Sequence, residues 1–173
     1  MIRALLEQLT AEFPGLRIIR HSESRLISFI SSALRILTGN RDFARTFCVI
    51  GQAIYVPDDW ESMDPLSVVI ILRHERIHLL QVRRYGMPML ALLYLLPYFP
   101  LGLAYFRARL EWEAFEETLR ATHELRGRQA MLALRPHILE WFTGPRYGWM
   151  WPFPTRVGRW FDEAAARITA LPG

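Results

Sequence analysis

The sequence contains no lysine and a single cysteine. All 21 basic residues are arginine, which excludes chemistry that requires a lysine, such as Schiff-base formation or phosphate binding by a P-loop. Cys48 alone can form neither an intramolecular disulfide nor a cysteine-based zinc cluster. Any metal ion must therefore be held by histidine and carboxylate side chains.

The charged residues form no basic stripe of the kind that binds nucleic acid. The arginines are scattered among Asp and Glu, and the net charge is +4, so we expect no nucleic-acid partner. With 173 residues, 51% of them hydrophobic, the chain is long enough for one folded domain over residues 1–173. The N-terminal segment, which carries Glu7 and Glu12, lacks the features of a signal peptide, and this predicts a cytoplasmic location.

The hydrophobic pattern predicts a predominantly helical α+β fold with a small sheet or hairpin before its central helix. Residues 46–57 are rich in β-forming residues around Gly51, which indicates a strand pair or one bulged strand. Asp64 and Pro65 are typical of a helix start, and that helix should extend to Arg84. Further helices are predicted over 2–12, 23–37, 104–126, 128–134, 137–142 and 155–171.

The stretch ILRHERIHLLQ, residues 71–81, contains His74, Glu75 and His78 within the central helix. Residues four apart share a helix face, so both imidazoles can point at one ion. Glu75 is rotated by about 100° from His74, close enough to act on a water at that ion. Burying these groups in an apolar helix without a partner would be unfavourable. We therefore predict a metal site of the H-E-x-x-H kind.

Zinc is the metal that this pattern predicts, although Mn, Co or Fe accept the same ligands. A zinc ion with three protein ligands lowers the pKa of its bound water to about 7. Glu75 would take the proton of this metal-bound water as general base, then pass it to the leaving amine. The expected activity is a zinc-dependent hydrolase, and its expected substrate is a peptide or protein.

In these residues the chain resembles the zincin metallopeptidases, as a small bacterial-type domain of the gluzincin kind. The likeness covers the strand region 46–57, the motif helix 65–84 and a second helix over 104–120. It implies a zincin-like core, bound zinc and peptidase activity. The chain departs from the family pattern at Arg76, where the family has an uncharged residue. Arg76 either weakens peptidase activity or forms a salt bridge with a carboxylate around the ligands.

The resemblance also implies a third zinc ligand from the second helix. Gluzincins take a Glu there, often followed by Ala and by an acid one turn later. Glu113 with Ala114 and Glu117 fits this arrangement best, so Glu113 is the expected ligand and Glu117 could orient a histidine. Glu111 faces away from Glu113 by about 200°, so both cannot be ligands. Glu111, Glu116 and Glu117 remain alternatives to Glu113.

A further expectation from the family concerns the oxyanion of the reaction. Zincins commonly stabilise it with a His or Tyr from elsewhere in the chain. His137 and Tyr147 are the expected catalytic candidates in the C-terminal part, and His123 is a third.

Residues 85–106 contain no charged side chain and are long enough to span a bilayer. A span would place the histidine pair and Glu113 about 30 Å apart, so we expect instead a helical hairpin inserted between the two ligand helices. Pro97 and Pro100 would turn the chain at its tip. The tip either packs in the core or makes a peripheral membrane or protein contact.

Two other functions remain open at this point. The first is a catalytically inactive zincin-like module for binding or membrane-associated interaction, which Arg76 and the apolar hairpin support. The second is a metal-free helical protein in which the H-E-x-x-H pattern is coincidental. The oligomeric state is not predicted.

Overall fold

A computed structural model describes residues 1–25, 27, 46–95, 104–144 and 149–170. Over these residues the chain forms six α-helices and one three-stranded sheet, which confirms the predominantly helical α+β class. Two compact units, Met1–Arg83 and Arg84–Gly173, make up the chain, and each is described by itself. The single domain over residues 1–173 stays a prediction.

The first unit contains the sheet and the motif helix. Its elements are α1 (Ile2–Glu12), β1 (Arg17–Arg20), β2 (Cys48–Ile50), β3 (Ala53–Val56) and α2 (Pro65–Tyr85), with short 3-10 helices at His21–Glu23 and Trp60–Ser62. The strand order is β1-β3-β2. The central strand β3 is parallel to β1 and antiparallel to β2. The predicted small sheet before the motif helix is therefore confirmed.

Strand β3 is buried on both faces, which explains its continuous run of apolar residues. Ile54 and Val56 pack in the main core of this unit, together with apolar residues of α1 and α2. Ala53 and Tyr55 point to the opposite face, where they pack in a cluster with Ile27. The sheet thus separates a larger core, which includes α2, from a smaller one.

Strands β2 and β3 form the strand pair that the sequence left open against a single bulged strand. Ile50 pairs with Ala53 across a two-residue turn. Gly51, the first residue of that turn, has a φ of 63°, a conformation that glycine adopts without steric penalty. The register places Cys48 opposite Tyr55.

Helix α2 begins and ends where the local sequence indicates. The Asp64 carboxylate accepts a 2.9 Å hydrogen bond from the Ser67 N–H, and Pro65 is the first helical residue. At the other end, Gly86 has a φ of 74°, the left-handed conformation common just after a helix C-terminus. The helix is one residue longer than predicted.

The second unit is helical in all its described residues. Its elements are α3 (Met87–Leu95), α4 (Tyr105–Ala133), α5 (Arg135–Thr143) and α6 (Pro154–Ala170). Gly127 has non-helical φ and ψ and marks a kink within α4. Large apolar and aromatic side chains of α4, α5 and α6 form the core, among them Trp112, Phe115, Phe142 and Phe161.

The two described arms of the predicted apolar hairpin contact each other. Tyr94 on α3 donates a 2.7 Å hydrogen bond to Glu111 on α4, and the Arg107 guanidinium lies 5.8 Å from the Tyr94 ring centre. The predicted tip at Pro97 and Pro100 lies outside the described residues. Among the helices that the structure describes, none is long and apolar enough to cross a membrane. The cytoplasmic location stays a prediction.

The Asp64 cap allows a direct test of the α2 boundary. We expect Asp64→Ala to lower the free energy of unfolding by about 1 kcal/mol, because an N–H of the first turn loses its acceptor. Urea denaturation would measure the change. Asp59→Ala is the matched control, since the Asp59 side chain caps no N–H of its 3-10 helix. Equal losses in both variants would contradict the capping role.

Candidate metal centre

The three motif side chains lie on the buried part of α2. Glu75 is 5% exposed and His78 is 9% exposed, while His74 is half-buried. Val68, Leu72 and Leu79 of the same helix are buried in the main core of the unit. The packing of these apolar neighbours holds α2 in place, so the positions of the three polar side chains follow from the helix itself.

The two histidines approach each other through the same ring nitrogen. Nε2 of His74 lies 3.2 Å from Nε2 of His78, and the rings meet edge to face at 72°. Two nitrogens bound to one tetrahedral zinc at the usual bond length are about 3.3 Å apart. The pair therefore has the separation of two zinc ligands, and this separation also suits an N–H···N hydrogen bond.

Gln81 sets the tautomer of His78. Its Oε1 lies 2.9 Å from His78 Nδ1, and the Gln81 side chain is almost fully buried. An amide oxygen only accepts hydrogen bonds, so Nδ1 carries the proton and Nε2 presents its lone pair toward His74. Metal-binding histidines are held by partners of this kind. Gln81 is not among the residues predicted from the sequence, although its position three residues after His78 on one helix face was the available signal.

The Cys48 thiol on β2 lies in an environment that disfavours its ionised form. Burial raises the pKa of the Cys48 thiol to about 12, and the negative charge of Glu75 contributes to the same shift. Cys48 therefore stays a neutral thiol at ordinary pH.

The acids of α4 differ in burial. Glu111 is 7% exposed, and its Oε1 accepts the hydrogen bond from Tyr94. Glu113, the expected third ligand, is half-buried on the same helix. Its role as a ligand stays a prediction.

Two further acids of α4, Glu116 and Glu117, are engaged within the second unit. The Oε1 atom of Glu116 accepts hydrogen bonds from Trp112 Nε1 at 3.1 Å and from Arg167 Nη2 at 2.5 Å. Glu117 accepts a 2.7 Å bond from Arg120. These contacts give both carboxylates a structural role in the helical unit.

Two of the three expected oxyanion residues lie in the described part of the chain. His137 is exposed on α5, and His123 is half-buried on α4. Tyr147 lies outside the described residues. The catalytic roles of His137 and Tyr147 stay predictions.

Arg76 forms an ion pair with α1. Its Nε and Nη2 atoms donate to Glu12 Oε2 and Oε1 at 2.6 and 2.8 Å, and both side chains are partly exposed. This two-point geometry is the strong form of an arginine–carboxylate pair. The cation that departs from the zincin pattern is therefore matched by a carboxylate of the N-terminal helix.

Comparison with known proteins gives no relative for this chain. No family model, no curated protein and no solved structure matches it. The resemblance to zincins therefore stays a prediction, based on the motif and its sequence context.

The raised pKa of Cys48 predicts slow alkylation of the folded protein. At about pH 8.5 we expect iodoacetamide to modify the folded chain on the order of a hundredfold more slowly than the urea-unfolded chain. The same shift makes stability depend on pH. The neutral Cys48 thiol contributes to the free energy of unfolding. This contribution is fully present below the ordinary thiol pKa of 9.0 and is lost as the pH rises toward about 12. Equal alkylation rates in the two states would contradict this environment.

Proposed function

We propose that this protein is a zinc-dependent hydrolase, specifically a metallopeptidase, in which His74 and His78 bind the metal. The observation that carries the proposal is the 3.2 Å separation of their Nε2 atoms, with the lone pair of His78 directed by Gln81. Two imidazoles and one carboxylate are a donor set that catalytic zinc sites use, with one position left open for substrate. The chemistry of the residues present thus fits zinc.

Glu111 is the third ligand in this proposal. Its burial and its bond from Tyr94 support this role, because hydrogen-bonded partners orient the carboxylates that bind metals. Glu113 on the same helix is the alternative that the sequence favoured.

The proposed mechanism gives each remaining side chain a separate task. A bound zinc ion would supply the charge that acidifies a water molecule and polarises the scissile carbonyl. Glu75 accepts a proton from the attacking water and then donates it to the leaving amine. Gln81 keeps the proton of His78 on Nδ1, and Tyr94 holds the carboxylate of Glu111.

A metal-free pair is the competing interpretation of the same geometry. An N–H···N hydrogen bond between His74 and His78 also accommodates the 3.2 Å distance. A catalytically inactive binding module is a further alternative, although Arg76 no longer supports it specifically, since its charge pairs with Glu12. Measuring the metal content distinguishes the metal-free pair from the proposed enzyme. Measuring peptide turnover distinguishes the inactive binding module from it.

Elemental mass spectrometry on purified protein tests the site. We expect about one zinc per chain, with loss of zinc in His74→Ala and in Glu111→Gln, because each removes a donor. Glu113→Gln is the matched control one half-turn away and should keep its zinc. Loss of zinc in Glu113→Gln with retention in Glu111→Gln would assign the third ligand to Glu113. Background zinc in the wild type, even after zinc is added, would contradict the proposal.

Glu75→Gln tests the catalytic role separately from metal binding. We expect this variant to keep its zinc and to lose peptide hydrolysis by at least about a hundredfold, because the isosteric amide cannot accept the proton. A library of quenched fluorescent peptides would provide the assay. Unchanged turnover would exclude Glu75 as the base. A zinc-loaded wild type that cleaves no peptide in the library would favour the inactive module.

A further inference from the structure

Four large aromatic side chains are exposed where the start of α4 meets the segment before α6. Tyr105, Phe106, Trp149 and Phe153 are 46%, 51%, 56% and 41% exposed. The rings of Tyr105 and Phe106 contact each other, and buried Trp151 contacts both Tyr105 and Phe153. These four residues around Trp151 are called the aromatic surface below, and all of them belong to the second unit.

The backbone holds the two stretches of the aromatic surface together. The Ala104 N–H donates a 3.1 Å hydrogen bond to the Met150 carbonyl, and the Trp149 N–H donates a 3.0 Å bond to the Gly144 carbonyl. The four exposed rings are therefore carried by backbone segments that hydrogen bonds hold in place.

Trp149 has an unfavourable backbone conformation. Its φ is 51°, and it is the one residue other than glycine with positive φ in the described part of the chain. A bulky residue in this region is a steric outlier, which persists only where the surrounding structure imposes it. Because the Trp149 side chain is mostly exposed, packing in the core does not explain the choice of tryptophan. A role of the exposed indole at the surface would explain why tryptophan occupies this position.

The two segments that form the aromatic surface carry only basic charges. Residues 104–110 and 149–161 contain four arginines and no Asp or Glu. Arg109, Arg156 and Arg159 are exposed, and no ion pair is found for these three within the described ranges. The two segments therefore combine exposed aromatic rings with exposed arginines.

We propose that the aromatic surface docks on a lipid bilayer that carries anionic headgroups. Trp and Tyr prefer the depth of the headgroups, where their rings lie among apolar groups and their polar atoms stay in water. Arginines beside them are attracted to anionic lipids. Arg156 already lies 5.8 Å from the Trp151 ring centre, so the cation and the apolar rings occupy the same part of the surface. The proposal is independent of the metal site.

Vesicle flotation with the full chain tests this surface. We expect the protein to float with vesicles of phosphatidylcholine and phosphatidylserine, and to bind them at least about tenfold better than vesicles of phosphatidylcholine alone. Binding to the mixed vesicles should fall as salt is raised, since screening weakens attraction between exposed charges. Equal binding to both kinds of vesicle, or to neither, would overturn the proposal.

Trp149→Asn separates binding from folding. Asparagine tolerates positive φ far better than tryptophan, so we expect an unchanged or higher unfolding midpoint together with at least about threefold weaker vesicle binding. Ile18→Thr, which shortens an exposed apolar side chain on β1, is the control and should bind like the wild type. Unchanged vesicle binding in Trp149→Asn would contradict the role of the exposed indole.

A charge variant keeps the test independent of the aromatic residues. Arg109→Gln with Arg156→Gln removes two exposed charges and should weaken binding to the mixed vesicles at least about tenfold. The control is Arg3→Gln with Arg17→Gln, which removes the same charge from exposed positions of the first unit. Equal loss in both double variants would show attraction by net charge alone and would overturn docking through the aromatic surface.

Discussion

Burial of two imidazoles and a carboxylate in an apolar helix is the constraint that organises the first unit. A polar group removed from water without a partner loses roughly 2–7 kcal/mol, so α2 can carry His74, Glu75 and His78 only if the fold compensates them. The compensation is local for His78, which contacts Gln81 and His74. The same helix contributes Val68 and Leu72 to the core, so packing and polar partners constrain one element together.

The charges of α2 are divided between helix faces. Arg76 is about 200° around the helix from His74, and it pairs with Glu12 on α1. Arg76 is close to His74 and His78 in sequence, but its guanidinium contacts Glu12 on α1. This arrangement lets a positively charged residue occupy a position where the zincin pattern is uncharged without bringing its charge to the histidine pair.

Local features were the predictable part of this protein. The start of α2 at Asp64 and the facing pair His74 and His78 each depend on residues at most four apart, so capping chemistry and helical periodicity were sufficient. Gln81 follows the same rule and was overlooked because it is not a titratable residue. For residues 46–57 the sequence left a strand pair and one bulged strand open, and the pairing in the structure decided between them. The Arg76–Glu12 pair joins residues 64 positions apart, and no local pattern contains that information.

The choice among the acids of α4 shows the limit of sequence most clearly. Glu111 and Glu113 have the same chemistry and lie two residues apart, and only the resemblance to the gluzincin arrangement favoured Glu113. Burial and the bond from Tyr94 distinguish Glu111 in the structure. By itself the sequence determined the fold class, the absence of cysteine and lysine chemistry, and the histidine pair with its adjacent carboxylate, because composition and helical periodicity decide these. Only the tertiary structure decided the long-range pairs, Arg76 with Glu12 and Tyr94 with Glu111, since packing between elements sets burial and distant partners.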